Sequence, residues 1–131
     1  MDIALTRNFT LREFIVSNTA DRLGFSGQYQ VPLLVFFNLG FLCSNILQPL
    51  RDMIGPINIT SGYRCSQLNT YVGGSNTSQH LAGQAVDFTC SDLNSALAFL
   101  KKKPFDQIII YKTFIHVSLT TGRNRHQIIK K

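Results

Sequence analysis

The feature that most constrains this chain is the stretch at residues 75–88, which reads Ser-Asn-Thr-Ser-Gln-His-Leu-Ala-Gly-Gln-Ala-Val-Asp-Phe. It places His80 and Asp87 close together, with small residues between them. Asp87 lies in an apolar run, where an unpaired carboxylate is costly. His116 occupies a similar apolar setting later in the chain. A metal ion would offset that cost, and we therefore predict one zinc site formed by His80, Asp87 and His116.

Strand periodicity supports this grouping. Alternation along two predicted strands, residues 84–89 and 114–119, puts Asp87 and His116 on the face opposite to the apolar side chains. Burying both apolar faces together leaves Asp87 and His116 on the same open side of the sheet, which His80 reaches by a short loop. Two imidazoles and one carboxylate leave a tetrahedral zinc ion one open position for water, which is a catalytic arrangement. Taken singly, each residue has a simpler interpretation: a hydrogen-bonded core histidine, or a carboxylate paired with Arg64.

Length and charge limit the class of protein. A chain of 131 residues with 44% apolar content predicts one globular domain over residues 1–131. Thirteen basic residues against seven acidic ones give a net charge of +6, which favours anionic partners such as nucleic acid, lipid or cell-wall polymers. No basic motif with interleaved aromatic residues is present, so nucleic acid is not expected as a partner.

Cysteine usage and the apolar runs indicate a location. Cys43, Cys65 and Cys90 are odd in number and lack metal-type spacing, so we predict buried thiols in a reducing compartment. The first three residues include an acid and do not resemble a signal peptide. The longest apolar run, residues 31–43, is too short to cross a bilayer. We therefore expect no signal peptide or transmembrane segment, and a protein that is cytoplasmic or released without a signal.

Helical signals come before strand signals, which predicts an α+β fold with a mostly antiparallel sheet. Thr10-Leu11-Arg12-Glu13 has the form of a capping box and predicts a helix over residues 11–17. Residues 17–30 are polar and predict a loop. A second, apolar helix is expected from Pro32 to about residue 53, with a kink or break at Pro49. Further predicted elements are strands at residues 57–60, 84–89, 107–111 and 114–119, helices at residues 66–71 and between Ser91 or Asp92 and Pro104, and a last strand within residues 120–131.

Three segments together resemble the zinc D-alanyl-D-alanine carboxypeptidase family of peptidoglycan peptidases. They are Ser-Gly-Tyr-Arg at residues 61–64, Ser-Gln-His-Leu-Ala-Gly-Gln-Ala-Val-Asp at residues 78–87 and Phe-Ile-His-Val-Ser at residues 114–118. The family motif reads Ser-x-His-x-x-Gly-x-Ala-x-Asp and is followed by a later histidine. The chain is most similar to the small single-domain versions common in bacteriophages. Residues 9–14 and 50–51 also fit, so the resemblance covers nearly the whole chain.

The resemblance implies roles for five residues. It implies zinc ligation by His80, Asp87 and His116, and a role for Arg64 in binding the substrate carboxylate or stabilising the oxyanion, which suits a guanidinium fork. It implies contact between Ser78 and the substrate backbone. The implied fold is an antiparallel sheet flanked by helices, with zinc on its open face. The implied activity is hydrolysis of a peptidoglycan stem peptide at D-Ala-D-Ala, or at L-Ala-D-Glu as in phage endolysins.

The chain departs from the family pattern at the general base. The family places a carboxylate shortly before the last histidine, whereas this chain has Thr113, with Tyr111 among its neighbours. Asp106 lies at the other end of its strand, and Tyr111 or His126 could substitute. Losing a general base costs on the order of 10²–10⁴ in rate. The first hypothesis remains an active zinc peptidase. The missing carboxylate favours one alternative, a catalytically impaired peptidoglycan-binding or virion structural module. A further alternative is an unrelated basic binding domain.

Overall fold

The chain begins with a small hairpin that the sequence did not predict. In the computed structural model, which describes residues 2–131, β1 (Ala4–Thr6) pairs antiparallel with β2 (Phe9–Thr10). The hairpin leads directly into α1 (Leu11–Ile15), two residues shorter than predicted. The Glu13 carboxylate accepts a hydrogen bond from the Thr10 backbone N–H at 2.7 Å, which confirms the reciprocal cap at this helix start.

The prediction of a loop over residues 17–30 is wrong. This segment forms α2 (Asn18–Leu23) and a 3₁₀ helix (Ser26–Tyr29). The Ser17 hydroxyl caps α2 by accepting the Ala20 N–H at 3.0 Å, and Gly24 ends it in a left-handed conformation with φ of 72°. The capping signals were therefore present in the sequence, but the polar composition between them concealed the helix.

One continuous helical run supplies most of the core. It comprises α3 (Leu33–Leu42), a π-helical turn (Cys43–Leu47) and α4 (Gln48–Ile54). The kink predicted at Pro49 is replaced by this wider turn, in which the Gln48 N–H bonds to the Cys43 carbonyl. A widened turn relieves the clash between a proline ring and the carbonyl four residues earlier.

The length and hydropathy of this run would also suit a membrane crossing, but half of its most apolar window is buried inside the protein. Its fully buried side chains form the centre of the core: Leu39, Leu42, Ile46, Leu47 and Leu50. All three cysteines are free thiols, and Cys43 and Cys65 are buried as predicted, whereas Cys90 is only half-buried.

A five-stranded sheet packs against the helices. Its strands lie in the order β3-β4-β6-β5-β7, and all neighbours are antiparallel except β5 and β7, which are parallel. The α+β class is correct, but the sheet is mixed rather than purely antiparallel, because the chain crosses over after β6 and returns beside β5 in the same direction. The elements are β3 (Ile57–Ser61), α5 (Ser66–Tyr71), a 3₁₀ turn (Gln79–Ala82), β4 (Ala85–Cys90), α6 (Leu93–Leu100), β5 (Gln107–Ile110), β6 (Ile115–Ser118) and β7 (Gln127–Lys130).

Candidate metal centre

Asp87 and His116 face each other across two neighbouring strands. They are paired in the antiparallel register of β4 and β6, and Asp87 Oδ1 lies 2.8 Å from His116 Nδ1. The flanking side chains Val86, Phe88 and Val117 are fully buried on the other face. The predicted placement of Asp87 and His116 on one open side of the sheet is therefore confirmed.

The third residue, His80, is presented by the 3₁₀ turn Gln79–Ala82, which we call the His80 turn. The Ser78 hydroxyl caps this turn, and Gly83 ends it with φ of 71°. His80 is only 2% exposed, and its Nδ1 lies 2.7 Å from the Gly62 carbonyl oxygen. A carbonyl can only accept, so Nδ1 carries a proton, and Nε2 is the ring nitrogen left to bind a metal.

The three side chains offer a converging set of donor atoms. One nitrogen or oxygen from each of His80, Asp87 and His116 lies within 4.8 Å of the others, so the group could hold a metal ion. His80 Nε2 and Asp87 Oδ1 are 3.5 Å apart. A metal ion could be bound by both atoms in place of a shared proton. Two imidazoles and one carboxylate match the ligand set of a zinc site with an open position.

The electrostatics of Asp87 fit this role. Burial raises the pKa of the Asp87 carboxyl, but the hydrogen bond with His116 and the neighbouring His80 ring outweigh burial and keep the pKa below its usual range. Asp87 is therefore an anion at neutral pH, as metal ligation requires.

Arg64 lies beside the His80 turn with few protein partners. Its backbone N–H donates to the His80 carbonyl at 3.1 Å, which fixes its position relative to the site. Its Nη2 lies 3.5 Å from the Ser78 hydroxyl, and its buried Nε has no hydrogen-bond partner among residues 2–131. Burial lowers the pKa of Arg64, with Asp87 opposing that effect, yet a guanidinium stays protonated at neutral pH. A half-buried guanidinium whose Nε lacks a protein partner favours an anionic ligand.

These residues open onto one cleft of about 520 Å³. Asp87 is the only acid among the lining residues in the described part of the chain, while Arg64 and Arg125 contribute positive charge. Together with a bound cation, this lining would give the cleft a strongly positive potential, which attracts anionic substrates. Ser78 and Tyr111 also line the cleft.

The residues considered for the general base lie in different places. Thr113 is exposed in the turn before β6, where its carbonyl accepts a hydrogen bond from Thr89, and its side chain is not part of the cleft lining. Tyr111 does line the cleft and stacks on Phe114 with ring centroids 4.3 Å apart. His126 lies outside the cleft lining and packs against the Phe105 ring.

Sequence reasoning missed one network beside the site. Asp106 is buried and accepts hydrogen bonds from Gln79 at 2.9 Å and from Arg125 Nη2 at 2.7 Å. This pairing occupies the carboxylate, which agrees with the expectation that Asp106 is not the general base. The only sequence signal for the network was the position of Gln79 directly before His80, because Arg125 resembles the other basic residues of the tail.

The fold and the donor set define a zinc-dependent type of peptidase. The sequence profile of the family described as Peptidase M15 matches residues 7–118, and the chain belongs to this family, whose members are zinc-dependent. This confirms the resemblance to the zinc D-alanyl-D-alanine carboxypeptidase family. A comparison with curated proteins gave no match.

Proposed function

We propose that this protein hydrolyses a peptide bond in bacterial peptidoglycan stem peptides, as a D-Ala-D-Ala carboxypeptidase or an L-Ala-D-Glu endopeptidase. The observation that carries the proposal is the convergence of His80, Asp87 and His116 at the floor of a cleft that also contains Arg64. Stem peptides are anionic, and the positive cleft suits them. The protein would act on the wall from the host cytoplasm or from a virion.

In this proposal His80, Asp87 and His116 hold zinc. When bound, zinc would activate a water molecule and polarise the scissile carbonyl. The Gly62 carbonyl keeps the His80 ring in its ligating tautomer, and the register of β4 and β6 fixes the other two side chains.

The residues around the zinc ligands would bind and orient the peptide. Arg64 would bind a substrate carboxylate or the developing oxyanion, because its fork has hydrogen-bonding capacity that the protein leaves unused. Ser78 would contact the substrate backbone. Tyr111 is the candidate for proton transfer that the cleft contains, since Thr113 and His126 lie outside the lining.

The test is hydrolysis of purified muropeptides by zinc-loaded protein, followed by mass spectrometry, with a chelated sample beside it. We expect a chelator-sensitive product whose mass identifies the bond. His116→Ala should lose zinc and reduce hydrolysis by more than the about 10²–10⁴-fold that loss of a general base costs. His126→Ala, outside the cleft lining, is the matched control and should retain both properties. Hydrolysis retained in His116→Ala would contradict the proposal.

A second candidate function is a peptidoglycan-binding or virion structural module that holds zinc without turnover. The observation that favours it is the absence, within the described chain, of any cleft carboxylate other than Asp87. It predicts affinity for wall fragments with no product from protein that contains zinc. The muropeptide experiment therefore separates the two functions directly.

A further inference from the structure

Arg125 lines the same cleft as the metal-binding residues but is held in a different way from Arg64. Its Nε contacts both carboxylate oxygens of Asp106 at 3.2 Å, and its Nη2 lies 2.7 Å from Oδ2. Its backbone N–H also donates to Asp106 Oδ1 at 2.8 Å. A guanidinium held at two nitrogens and at its own backbone keeps little rotational freedom.

The ion pair of Arg125 and Asp106 is oriented with its positive member outward. The Asp106 side chain is 4% exposed, whereas that of Arg125 is 56% exposed. The Nη1 group of Arg125 makes no hydrogen bond within residues 2–131. The cleft therefore receives a fixed guanidinium edge with unused donors, and the compensating carboxylate lies behind it.

The two cleft arginines lie against consecutive residues of one segment. Arg64 Nη2 is 3.5 Å from the Ser78 hydroxyl, and Arg125 Nη2 is 3.5 Å from Gln79 Oε1. His80 follows immediately. The cleft thus has two separate guanidinium groups near one metal ligand, where a single substrate carboxylate would require only one.

We propose that Arg125 is a specificity-determining residue that binds a second carboxylate of the peptide, in addition to the group assigned to Arg64. This inference rests on the proposed function and narrows its substrate class to peptides with two carboxylates. In a stem peptide the second group is the free α-carboxylate of D-glutamate, which is lost when that residue is amidated. A purely structural role for Arg125 would need only its contacts with Asp106. The exposed Nη1 group, which has no hydrogen-bond partner among residues 2–131, would have no function in that role.

The experiment compares two synthetic pentapeptides, L-Ala-γ-D-Glu-L-Lys-D-Ala-D-Ala and its D-isoglutamine counterpart, on zinc-loaded protein by calorimetry and hydrolysis. The wild type should bind the carboxylate form at least about 10-fold more tightly, the effect of one charge-assisted hydrogen-bonded pair. Arg125→Gln should reduce this preference to about 2-fold or less, and Arg125→Lys should keep part of it, because a lysine retains the charge without the fork.

Arg123→Gln is the matched control, since Arg123 is exposed in the same tail and lies outside the cleft lining. It removes the same charge and should keep the preference. Equal binding of the two peptides by the wild type would overturn the role of Arg125 while leaving the proposed function intact, and needs no variant to fold. Equal losses in Arg125→Gln and Arg123→Gln, or a preference that survives Arg125→Gln, would also overturn it. A zinc-loaded wild type that neither binds nor cleaves either peptide would overturn the proposed function and this inference with it.

Discussion

On one flank of the cleft, β4, β6 and the His80 turn hold three donor atoms within 4.8 Å of one another. On the other flank, the turn between β5 and β6 presents the stacked rings of Tyr111 and Phe114. The first flank is supported by strand register, a backbone carbonyl and buried neighbours. The second is a turn in which Lys112 and Thr113 are exposed and Tyr111 and Phe114 are half-buried.

This difference separates metal binding from turnover. Loss of a donor on the first flank would leave a buried carboxylate or imidazole unpaired, which destabilises the protein as well as the site. A substitution on the second flank can remove a proton-transfer group without that consequence. A member of a peptidase family can therefore keep its metal centre while its hydrolytic rate changes by orders of magnitude.

Supplying a carboxylate on the second flank should have the largest effect. If turnover is limited by the missing base, Tyr111→Glu should increase hydrolysis of muropeptides by about 10²–10⁴-fold, because position 111 lines the cleft. Thr113→Glu is the control, since its side chain lies outside the cleft lining and should change the rate little. Steady-state kinetics on protein of equal zinc content measure both. A larger gain from Thr113→Glu than from Tyr111→Glu would contradict this placement of the base.

The first flank could be predicted from sequence because its geometry is local or periodic. The period of two along a strand places Asp87 opposite the buried Val86 and Phe88, and the same rule places His116. His80 lies close to β4 in sequence, so a short turn brings it to the same face. These relations depend on the alternation of apolar side chains, which the sequence displays directly.

Other features depend on relations that the sequence does not display. Counting back from His116 gave Thr113 as the position of the general base. In the structure the Thr113 side chain is exposed to solvent, and Tyr111 lines the cleft instead. The parallel direction of β7 is set by a crossover over residues 119–126 and not by the composition of the strand. Arg125 differs from other tail cations only through its contact with Asp106, a long-range partner.

Crowding the His80 turn should weaken the first flank. A Cβ at position 83 would lie 2.9 Å from Val35 Cγ1 and 2.9 Å from the Val35 carbonyl oxygen, whereas one at position 73 meets nothing within 4 Å. Both glycines have similar positive φ, so Gly73→Ala is a control for backbone strain of about 1–2 kcal/mol. Gly83→Ala should lower the free energy of unfolding by a further ~1–3 kcal/mol because of overpacking.

The displaced turn should also weaken zinc binding by about 10–100-fold, as loss of a supporting contact to a ligand does. Urea unfolding and competition with a zinc-binding dye measure the two effects. Equal zinc affinity in Gly83→Ala and Gly73→Ala would show that α3 does not support the His80 position.

The smallest effect is expected from removing the Asp106 carboxylate, which connects Arg125 of the C-terminal segment to Gln79 of the His80 turn. Burial raises the pKa of Asp106, but hydrogen bonds from Arg125 and Gln79 outweigh burial and keep the pKa below the usual range of an aspartate. A carboxylate whose pKa is lower in the folded state stabilises that state at pH values above its pKa in the unfolded chain. This stabilisation is lost as the pH falls through its pKa in the folded protein. Asp106→Asn should therefore lower the free energy of unfolding at pH 7 by about 1–3 kcal/mol, and its difference from the wild type should shrink below about pH 4.

Asp52→Asn is the matched control for the Asp106 substitution, because it removes the carboxylate of an ion pair with Arg7 whose side chains are 69% and 48% exposed. Solvent screens such a pair, so its loss should be much smaller at every pH. Urea unfolding between pH 3 and 7, chosen to bracket the ordinary aspartate pKa of about 4, measures both variants. A deficit in Asp106→Asn that stays constant down to pH 3 would mean that the carboxylate charge does not support Gln79 and the His80 turn. The first flank would then depend on the sheet and α3 alone.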